Sequence, residues 1–283
     1  MPRLLASLVG IPILLGAIWW GPPWLTLLVM LAAVLGVREF YRLAPLSSSV
    51  DAPLGTEGKA KLPVALGALW AVASVLGGQA ASNPNSLLLI SLGVFLGGAF
   101  VALLWLIAFY FGRKPMMAGA YLIGGPVYVG LPLAHALALR GLGGASSLGR
   151  DWLLFALLVT FATDTGAFFV GRSVGRRRMA PQISPNKTWE GAAGGFILAV
   201  VAGLILGHLL DLAAPLWQQG VTGAAVGVAA QLGDLFESKL KRLSHAKEAG
   251  SIIPGHGGIL DRLDSIVASV PVVYYLVAVG FNS

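Results

Sequence analysis

Residues 86–111 form a stretch of 26 residues without a charged side chain, Ser86-Leu-Leu-Leu-Ile-Ser-Leu-Gly-Val-Phe-Leu-Gly-Gly-Ala-Phe-Val-Ala-Leu-Leu-Trp-Leu-Ile-Ala-Phe-Tyr-Phe111. Because about 20 predominantly apolar residues suffice for a helix to cross a bilayer, this stretch predicts a transmembrane helix. Similar runs recur along the 283-residue chain, which is 57% hydrophobic and 11% charged. The sequence therefore predicts an all-α polytopic integral membrane protein.

Gly, Pro and charged residues divide the apolar runs into about nine expected transmembrane helices. These helices cover roughly residues 4–21, 23–42, 62–80, 86–111, 117–139, 151–171, 188–210, 217–237 and 259–280. The eighth is rich in Gly and Ala and has polar residues near its end, so we expect it to be enclosed by protein.

The basic residues indicate the orientation of the chain. With a cytoplasmic N-terminus, 17 of the 19 Lys and Arg residues fall on the inner side or at inner helix ends, and Arg140 and Arg150 fall outside. Since cytoplasmic loops collect Lys and Arg, we predict this orientation, with the loops 172–187 and 238–258 on the cytoplasmic face. The net charge of +7 then reflects topology and attraction to anionic lipids, not nucleic-acid binding.

The chain contains no cysteine, which excludes disulfides, thiolate nucleophiles and Cys-ligated zinc. Any metal must therefore be bound by oxygen or imidazole. Asp261 and Asp264 are three residues apart, so both lie on one face if the ninth helix begins here. Together with Asp234, near the end of the eighth helix, they could hold Mg²⁺, which needs only one or two carboxylates beside substrate phosphates. Alternatively, Asp261 and Asp264 complement the helix dipole and pair with Arg262.

Two further features lie close to these carboxylates. Glu237 could ligate a metal or pair locally with Lys241. The segment Ile253-Pro-Gly-His-Gly-Gly-Ile259 places His256 beside Gly257 and Gly258, whose missing side chains would let a phosphate approach the backbone before a helix start. His256 could bind phosphate or transfer a proton. A lone histidine is more often structural, but the neighbouring aspartates favour a functional role.

Upstream, Asp164 lies inside an apolar helix, where an ionisable group is functional by default. It could contact substrate or the surroundings of the metal. In Ser184-Pro-Asn-Lys-Thr-Trp-Glu190, the side chains of Ser184, Lys187, Thr188 and Glu190 could grip triphosphate oxygens. The alternative is that Thr188 only caps a helix.

These motifs resemble a known enzyme family. Ser238-x-Leu-Lys-Arg242, Lys247, Pro254-x-His-Gly-Gly258 and Asp261-Arg-Leu-Asp264 are similar to the C-terminal motif of the phosphatidate cytidylyltransferases, the CDP-diacylglycerol synthases. Asp164-Thr-Gly-Ala and Ser184-Pro-Asn-Lys-Thr-x-Glu-Gly191 resemble the family's other shared region. Glu248 departs from the family, which usually has Asp after the lysine.

The resemblance implies a homodimeric enzyme of the bacterial inner (cytoplasmic) membrane, with its active site facing the cytoplasm. It would use CTP and phosphatidic acid to make CDP-diacylglycerol and pyrophosphate, with Mg²⁺ and, as a second ion, a monovalent cation such as K⁺. Residues 1–150, the first five helices, would serve packing and dimerisation, and residues 151–283 would carry the catalytic site.

The resemblance also implies a role for each site residue. The expected metal ligands are Asp234, Asp261 and Asp264. The expected catalytic residues are Asp234, Asp261, Asp264, His256 and Lys241. The expected substrate-binding residues are Asp164, Ser184, Lys187, Thr188, Glu190, Ser238, Lys239, Arg242, Lys247, Gly257, Gly258 and Arg262.

Three other functions are compatible with parts of the sequence. A CTP-dependent polyprenol or dolichol kinase would share the helices but transfer the γ-phosphoryl group. An ion-coupled transporter would need paired acids near the bilayer midplane, whereas these acids gather toward one face. A non-catalytic lipid-binding protein would explain the basic loops but not three aspartates together.

Overall fold

The computed structural model describes residues 2–43, 61–110, 115–144, 147–252 and 257–280. The helices are α1 Pro2–Trp20, α2 Trp24–Arg42, α3 Lys61–Ala80, α4 Pro84–Phe109, α5 Pro115–Gly125, α6 Leu131–Gly141, α7 Leu148–Val174, α8 Trp189–Leu209, α9 Leu216–Leu243 and α10 Leu260–Tyr275. Two π-helical turns, Pro126–Gly130 and Leu276–Gly280, join α5 to α6 and extend α10. The strands are β1 Arg178–Ala180 and β2 Ser184–Thr188.

Among the described residues, seven helices are long and apolar enough to cross a membrane. One of them combines α5 and α6, which the sequence also treated as one span. The first predicted span corresponds to a shorter apolar helix, Leu8–Trp20. The eighth corresponds to α9, which is not among the seven. The predicted fold class, an all-α polytopic membrane protein, is confirmed.

The chain forms two compact units, and the first comprises residues 1–138 and 243–261. Its packing centres on α2, where Leu25, Val29, Ala33, Val37 and Tyr41 recur every four residues and are buried. Because residues four apart share a helix face, they form one apolar stripe. The Tyr41 hydroxyl donates a hydrogen bond to the Leu122 carbonyl at 2.7 Å, which satisfies the one polar atom in this stripe.

The second unit comprises residues 139–242 and 262–283. Its most extensive helix contact joins α7 and α8. The buried residues of α8 all have small side chains and recur every four residues; they are Gly191, Gly195, Ala199, Gly203 and Gly207. A Cβ on Gly195 would lie 2.8 Å from the Thr163 carbonyl oxygen on α7. Small residues thus let the backbones approach closely, as is common between membrane helices.

One expectation about α9 is wrong. The helix continues to Leu243, so Ser238 to Arg242 are helical and not part of a loop. Within this chain, Trp217, Leu232 and Phe236 expose 64%, 60% and 49% of their surfaces, so the expected enclosure by protein stays a prediction. The buried face of α9 carries instead the small and polar residues, including Gln219 and Glu237.

The expected loop 172–187 contains a small antiparallel hairpin of β1 and β2, in which Arg178 pairs with Thr188 and Ala180 with Ser184. Thr188 then caps α8, since its Oγ1 accepts a hydrogen bond from the Gly191 backbone N–H at 3.1 Å. The capping predicted as the alternative role of Thr188 is therefore confirmed. The hairpin fixes the residues that precede α8.

Candidate active site

Three carboxylates from three helices gather in the second unit. Asp164 on α7, Asp234 on α9 and Asp264 on α10 interact electrostatically with one another. Gly233 lets α9 and α10 approach here, because a Cβ on it would lie 2.8 Å from the Ala268 side chain. The Ser265 hydroxyl hydrogen-bonds to the Asp164 carboxylate. The Ser265 backbone N–H donates to Asp264 Oδ1 at 2.7 Å.

Lys187 from the hairpin joins this cluster. Its Nζ lies 2.7 Å from Asp234 Oδ2, and the two side chains are 23% and 32% exposed. Ser238, one turn along α9, donates a weaker hydrogen bond to Asp234 Oδ1 at 3.3 Å. Asp234 therefore pairs with a lysine that lies 47 residues earlier in the chain.

Lys241 pairs instead with Glu237, as the local alternative predicted. Lys241 Nζ lies 2.9 Å from Glu237 Oε1, and the two residues are four positions apart on α9. The Glu237 side chain is fully buried, whereas that of Lys241 is 14% exposed. Lys241 also interacts electrostatically with Asp264. This pair thus adds a second ammonium group to the edge of the carboxylate cluster.

The hairpin is held by several residues that were predicted to bind substrate. Glu190 accepts hydrogen bonds from the backbone N–H groups of Arg176 and Arg177, at 3.0 and 3.1 Å to Oε2. The Arg242 Nε–H donates to the Ile183 carbonyl at 3.0 Å. Ser184 is half-buried at the start of β2. These contacts position Lys187, while the substrate contacts expected of the same residues stay predictions.

The first unit contains a separate group around Asp261, in the first turn of α10. Asp261 Oδ2 accepts hydrogen bonds from the backbone N–H groups of Ala249 and Gly258, at 2.9 and 2.8 Å. Gly257 has φ of +81°, and a Cβ on it would lie 2.8 Å from the same carboxylate oxygen. The positive φ and the lack of space for a Cβ therefore require a glycine at position 257, whether or not phosphate binds there.

Glu39 belongs to this group, and the sequence analysis missed it. It lies on α2, is fully buried, and its Oε2 accepts a hydrogen bond from the Leu260 backbone N–H at 2.8 Å. One signal was available, because Glu39 is the only acidic residue among the first 50. It was overlooked since a charged residue near the end of a span usually marks only the membrane surface.

The remaining predicted residues fall into two sets. The exposed ones are Lys239, Arg242, Lys247 and Arg262. His256 lies outside the residues that the structure describes, so its role stays a prediction. Within the second unit, the structure brings together Asp164, Lys187, Asp234, Ser238, Lys241 and Asp264.

The residues near Asp234 suit a metal ion that is shared with a substrate. Within the described ranges, no three His, Cys, Asp or Glu side chains are grouped closely enough to hold an ion alone. However, four carboxyl groups, those of Asp164, Asp234, Glu237 and Asp264, accompany the ammonium groups of Lys187 and Lys241. This acidic excess favours a cation, and Mg²⁺ commonly completes its coordination with phosphate oxygens and water. The donor set therefore fits Mg²⁺.

Comparison with known proteins adds independent information. A sequence model of the "Cytidylyltransferase family" matches residues 1–279. The chain is similar to proteins named phosphatidate cytidylyltransferase: it is 41% identical to that of Bacillus subtilis (strain 168) over 152 residues, 54% of this chain and 55% of the relative. It is 42% identical to that of Brucella suis over 145 residues, 51% and 53% of the two chains. For Staphylococcus saprophyticus the values are 38% over 164 residues, 58% and 61%. The chain thus spans little more than half the length of the relatives it matches.

Proposed function

The chain belongs to the cytidylyltransferase family, and on that premise we propose that it transfers the cytidylyl group of CTP to phosphatidic acid. The products are CDP-diacylglycerol and pyrophosphate. The names of the relatives support this proposal. The observation that carries it is the cluster of Asp164, Asp234 and Asp264 with Lys187 and Lys241, which combines cation-binding and phosphate-binding groups.

The reaction forms one P–O bond and breaks another. A phosphate oxygen of phosphatidic acid attacks the α-phosphorus of CTP, and the bond from this phosphorus to the oxygen bridging to the β-phosphate breaks. The electron pair of that bond leaves with pyrophosphate. Because the attacking oxygen is already anionic, no strong base is required, and positioning and charge stabilisation supply most of the catalysis.

Lys187 and Lys241 are suited to bind the phosphates. Each ammonium group has a carboxylate partner at 2.7 to 2.9 Å; both lysine side chains are partly exposed, but the Lys187 Nζ atom itself is buried. A phosphate oxygen that enters the cluster would replace or share the carboxylate as acceptor. Such charge-assisted bonds offset the repulsion between two anionic substrates and fix the attacking oxygen in line.

Asp234 and Asp264 are the proposed Mg²⁺ ligands in the second unit. Asp261 is a third proposed ligand, and this proposal comes from the sequence. When bound, Mg²⁺ would neutralise phosphate oxygens and stabilise the charge that develops on the leaving pyrophosphate. Asp164, which is exposed and hydrogen-bonded to Ser265, would orient water or substrate hydroxyls beside them. A monovalent cation such as K⁺ is proposed as a second ion.

Membrane location is part of the proposal. Asp164 and Asp264 lie on α7 and α10, which are long and apolar enough to cross a membrane, so the lipid substrate would reach them from the bilayer while CTP arrives from the aqueous side. From the distribution of Lys and Arg, we place this site on the cytoplasmic face of the inner membrane. We also propose a homodimer, which light scattering with correction for bound detergent would test.

The decisive experiment uses the purified full chain in liposomes with phosphatidic acid and CTP labelled on the α-phosphate, with and without Mg²⁺. We expect Mg²⁺-dependent labelled CDP-diacylglycerol, and a loss of about a hundredfold or more in Asp264→Asn, since a metal site contributes several kcal/mol to the transition state. Asp211→Asn is the matched control. Asp211 is an exposed carboxylate outside the cluster, and its positive φ of 47° suits Asn equally well.

Other outcomes would redirect the assignment. Label transfer from γ-labelled CTP to a polyprenol, without CDP-diacylglycerol, would identify a kinase. Folded wild-type protein with neither activity would contradict the proposal and favour the transporter. Equal activity of Asp264→Asn and Asp211→Asn would keep cytidylyl transfer but remove the carboxylate cluster from it.

A further inference from the structure

Glu39 is a buried carboxylate in the half of the chain to which the sequence assigns no chemistry. Its side chain is fully buried, and its Oε2 accepts the Leu260 backbone N–H at 2.8 Å across 221 residues of sequence. Among the described residues, its Oε1 has no hydrogen-bond partner. A buried carboxylate with so few partners is costly, so its presence requires a compensating role.

The surrounding backbone is shaped around this carboxylate. A Cβ on Gly250 would overlap Glu39 Oε1, and a Cβ on Gly258 would overlap Oε2. Leu260 is the first residue of α10, so the carboxylate also lies at the N-terminus of that helix, where a negative charge is stabilised by the helix dipole. Glu39 thus replaces the missing side chains of two glycines and accepts a hydrogen bond from the start of α10.

Asp261 is bonded to the same stretch of backbone from the other side. Its Oδ2 accepts the N–H groups of Ala249 and Gly258, while Glu39 accepts that of Leu260, the residue just before Asp261. Gly258 therefore lies between the two carboxylates. Because these contacts share one short segment, a shift of Glu39 moves the backbone that sets the direction of the Asp261 side chain.

We propose that Glu39 is a positioning residue for cytidylyl transfer: through Gly258 and Leu260 it fixes the orientation of Asp261. This inference rests on the proposed function for its catalytic part. Its structural part is independent, since it states only that Glu39 holds residues 257–260. Groups that orient a metal ligand typically change metal affinity or activity 10- to 100-fold when they are removed.

The experiment measures hydrogen exchange at single amides of the full chain in detergent, together with steady-state kinetics over a range of Mg²⁺ concentrations. Glu39→Gln keeps the size of the side chain but weakens the bond to Leu260, because a neutral acceptor replaces a charged one. We expect exchange about fivefold faster at Leu260. For kinetics, we expect kcat to fall about tenfold and the half-activating Mg²⁺ concentration to rise by a similar factor.

Tyr41→Phe is the matched control. It removes another buried hydrogen bond of α2, two residues away, to the Leu122 carbonyl. We expect it to lower the melting temperature without changing exchange at residues 257–260 or the Mg²⁺ dependence. If Glu39→Gln does not fold, Gly250→Ala decides, because it keeps Glu39 but introduces a Cβ against Oε1.

The results separate the two levels of the proposal. Unchanged exchange at Gly258 and Leu260 in folded Glu39→Gln, or the same change in Tyr41→Phe, would overturn the positioning role. Faster exchange with unaltered kcat and Mg²⁺ dependence would show that Glu39 is structural only, which also overturns it. An inactive wild type would refute the proposed function, whereas the exchange data would still decide whether Glu39 holds the segment.

Discussion

Replacing Lys187 with methionine tests whether the hairpin lysine binds substrate or merely neutralises Asp234. Met keeps much of the length and apolar stem of Lys but has no ammonium group. The lost ion pair is short, at 2.7 Å, yet its side chains are 23% and 32% exposed. Partly exposed pairs contribute about 0.2–1 kcal/mol, so we expect the free energy of unfolding to fall by no more than about 1 kcal/mol.

The expected effect on catalysis is larger. A hydrogen bond from an ammonium group to a phosphate contributes about 1.5–3 kcal/mol. Since each 1.36 kcal/mol is a factor of ten, Lys187→Met should lower kcat/KM for CTP by about 10- to 150-fold. The same substitution should strengthen the binding of Mg²⁺. Without the neighbouring ammonium charge, Asp234 should attract the cation more strongly, so the half-activating Mg²⁺ concentration should fall.

The assay is CDP-diacylglycerol formation by purified variants in liposomes, with thermal unfolding measured in parallel. Arg38→Met is the control, because Arg38 is an exposed cation on α2 and is not part of the carboxylate cluster. If Lys187→Met keeps kcat/KM within about threefold of wild type, the lysine only neutralises Asp234 and the reasoning about phosphate binding is refuted.

Three further predictions follow from the described contacts. Glu237→Gln should destabilise the protein by about 3 kcal/mol in thermal unfolding, because it leaves the ammonium group of Lys241 beside a buried neutral side chain; a change below about 1 kcal/mol would contradict this. Thr188→Ala should cost about 1 kcal/mol through loss of the α8 cap, whereas Thr188→Ser should retain stability, and equal melting temperatures would disprove the capping role. Because the chain has no cysteine, a single cysteine introduced at the exposed position Ser251 or Ser147 can report which side of the membrane it faces. Ser251→Cys should react with a membrane-impermeant maleimide only from the cytoplasmic side, and Ser147→Cys only from the outer side. The reverse pattern would invert the predicted orientation.

Local rules predicted the parts of the molecule that depend on nearby residues. Long uncharged runs give the membrane helices, since the bilayer sets their length. The pairing of Glu237 with Lys241 follows from their spacing of four on a helix, and the cap at Thr188 follows from a hydroxyl before a helix start. Hydropathy also set the end of α9 too early, because Ser238 to Arg242 are polar but continue the helix.

Contacts between distant segments could not be predicted in this way. The pairing of Lys187 with Asp234 joins a hairpin to a helix 47 residues later, and no periodicity relates the two. Glu39 was missed for the same reason, since its partner Leu260 is 221 residues away. The approach of phosphate at Gly257 and Gly258 stays a prediction, whereas the carboxylates that the structure places against both glycines were not predicted. A missing side chain indicates a close neighbour without identifying it.

The balance of charge in the second unit gives a physical reason for the proposed cation requirement. A site that bound a triphosphate by itself would need an excess of positive charge, yet here four carboxyl groups accompany two ammonium groups. If the chain acts on CTP as proposed, the cluster would repel the triphosphate until a divalent cation enters with it. When the phosphates arrive, Lys187 and Lys241 can exchange their carboxylate partners for phosphate oxygens, and the released carboxylates become available to the cation. Lys187, Lys241 and their two carboxylate partners then keep compensating charges before and after binding, and the cation compensates the remaining carboxyl groups.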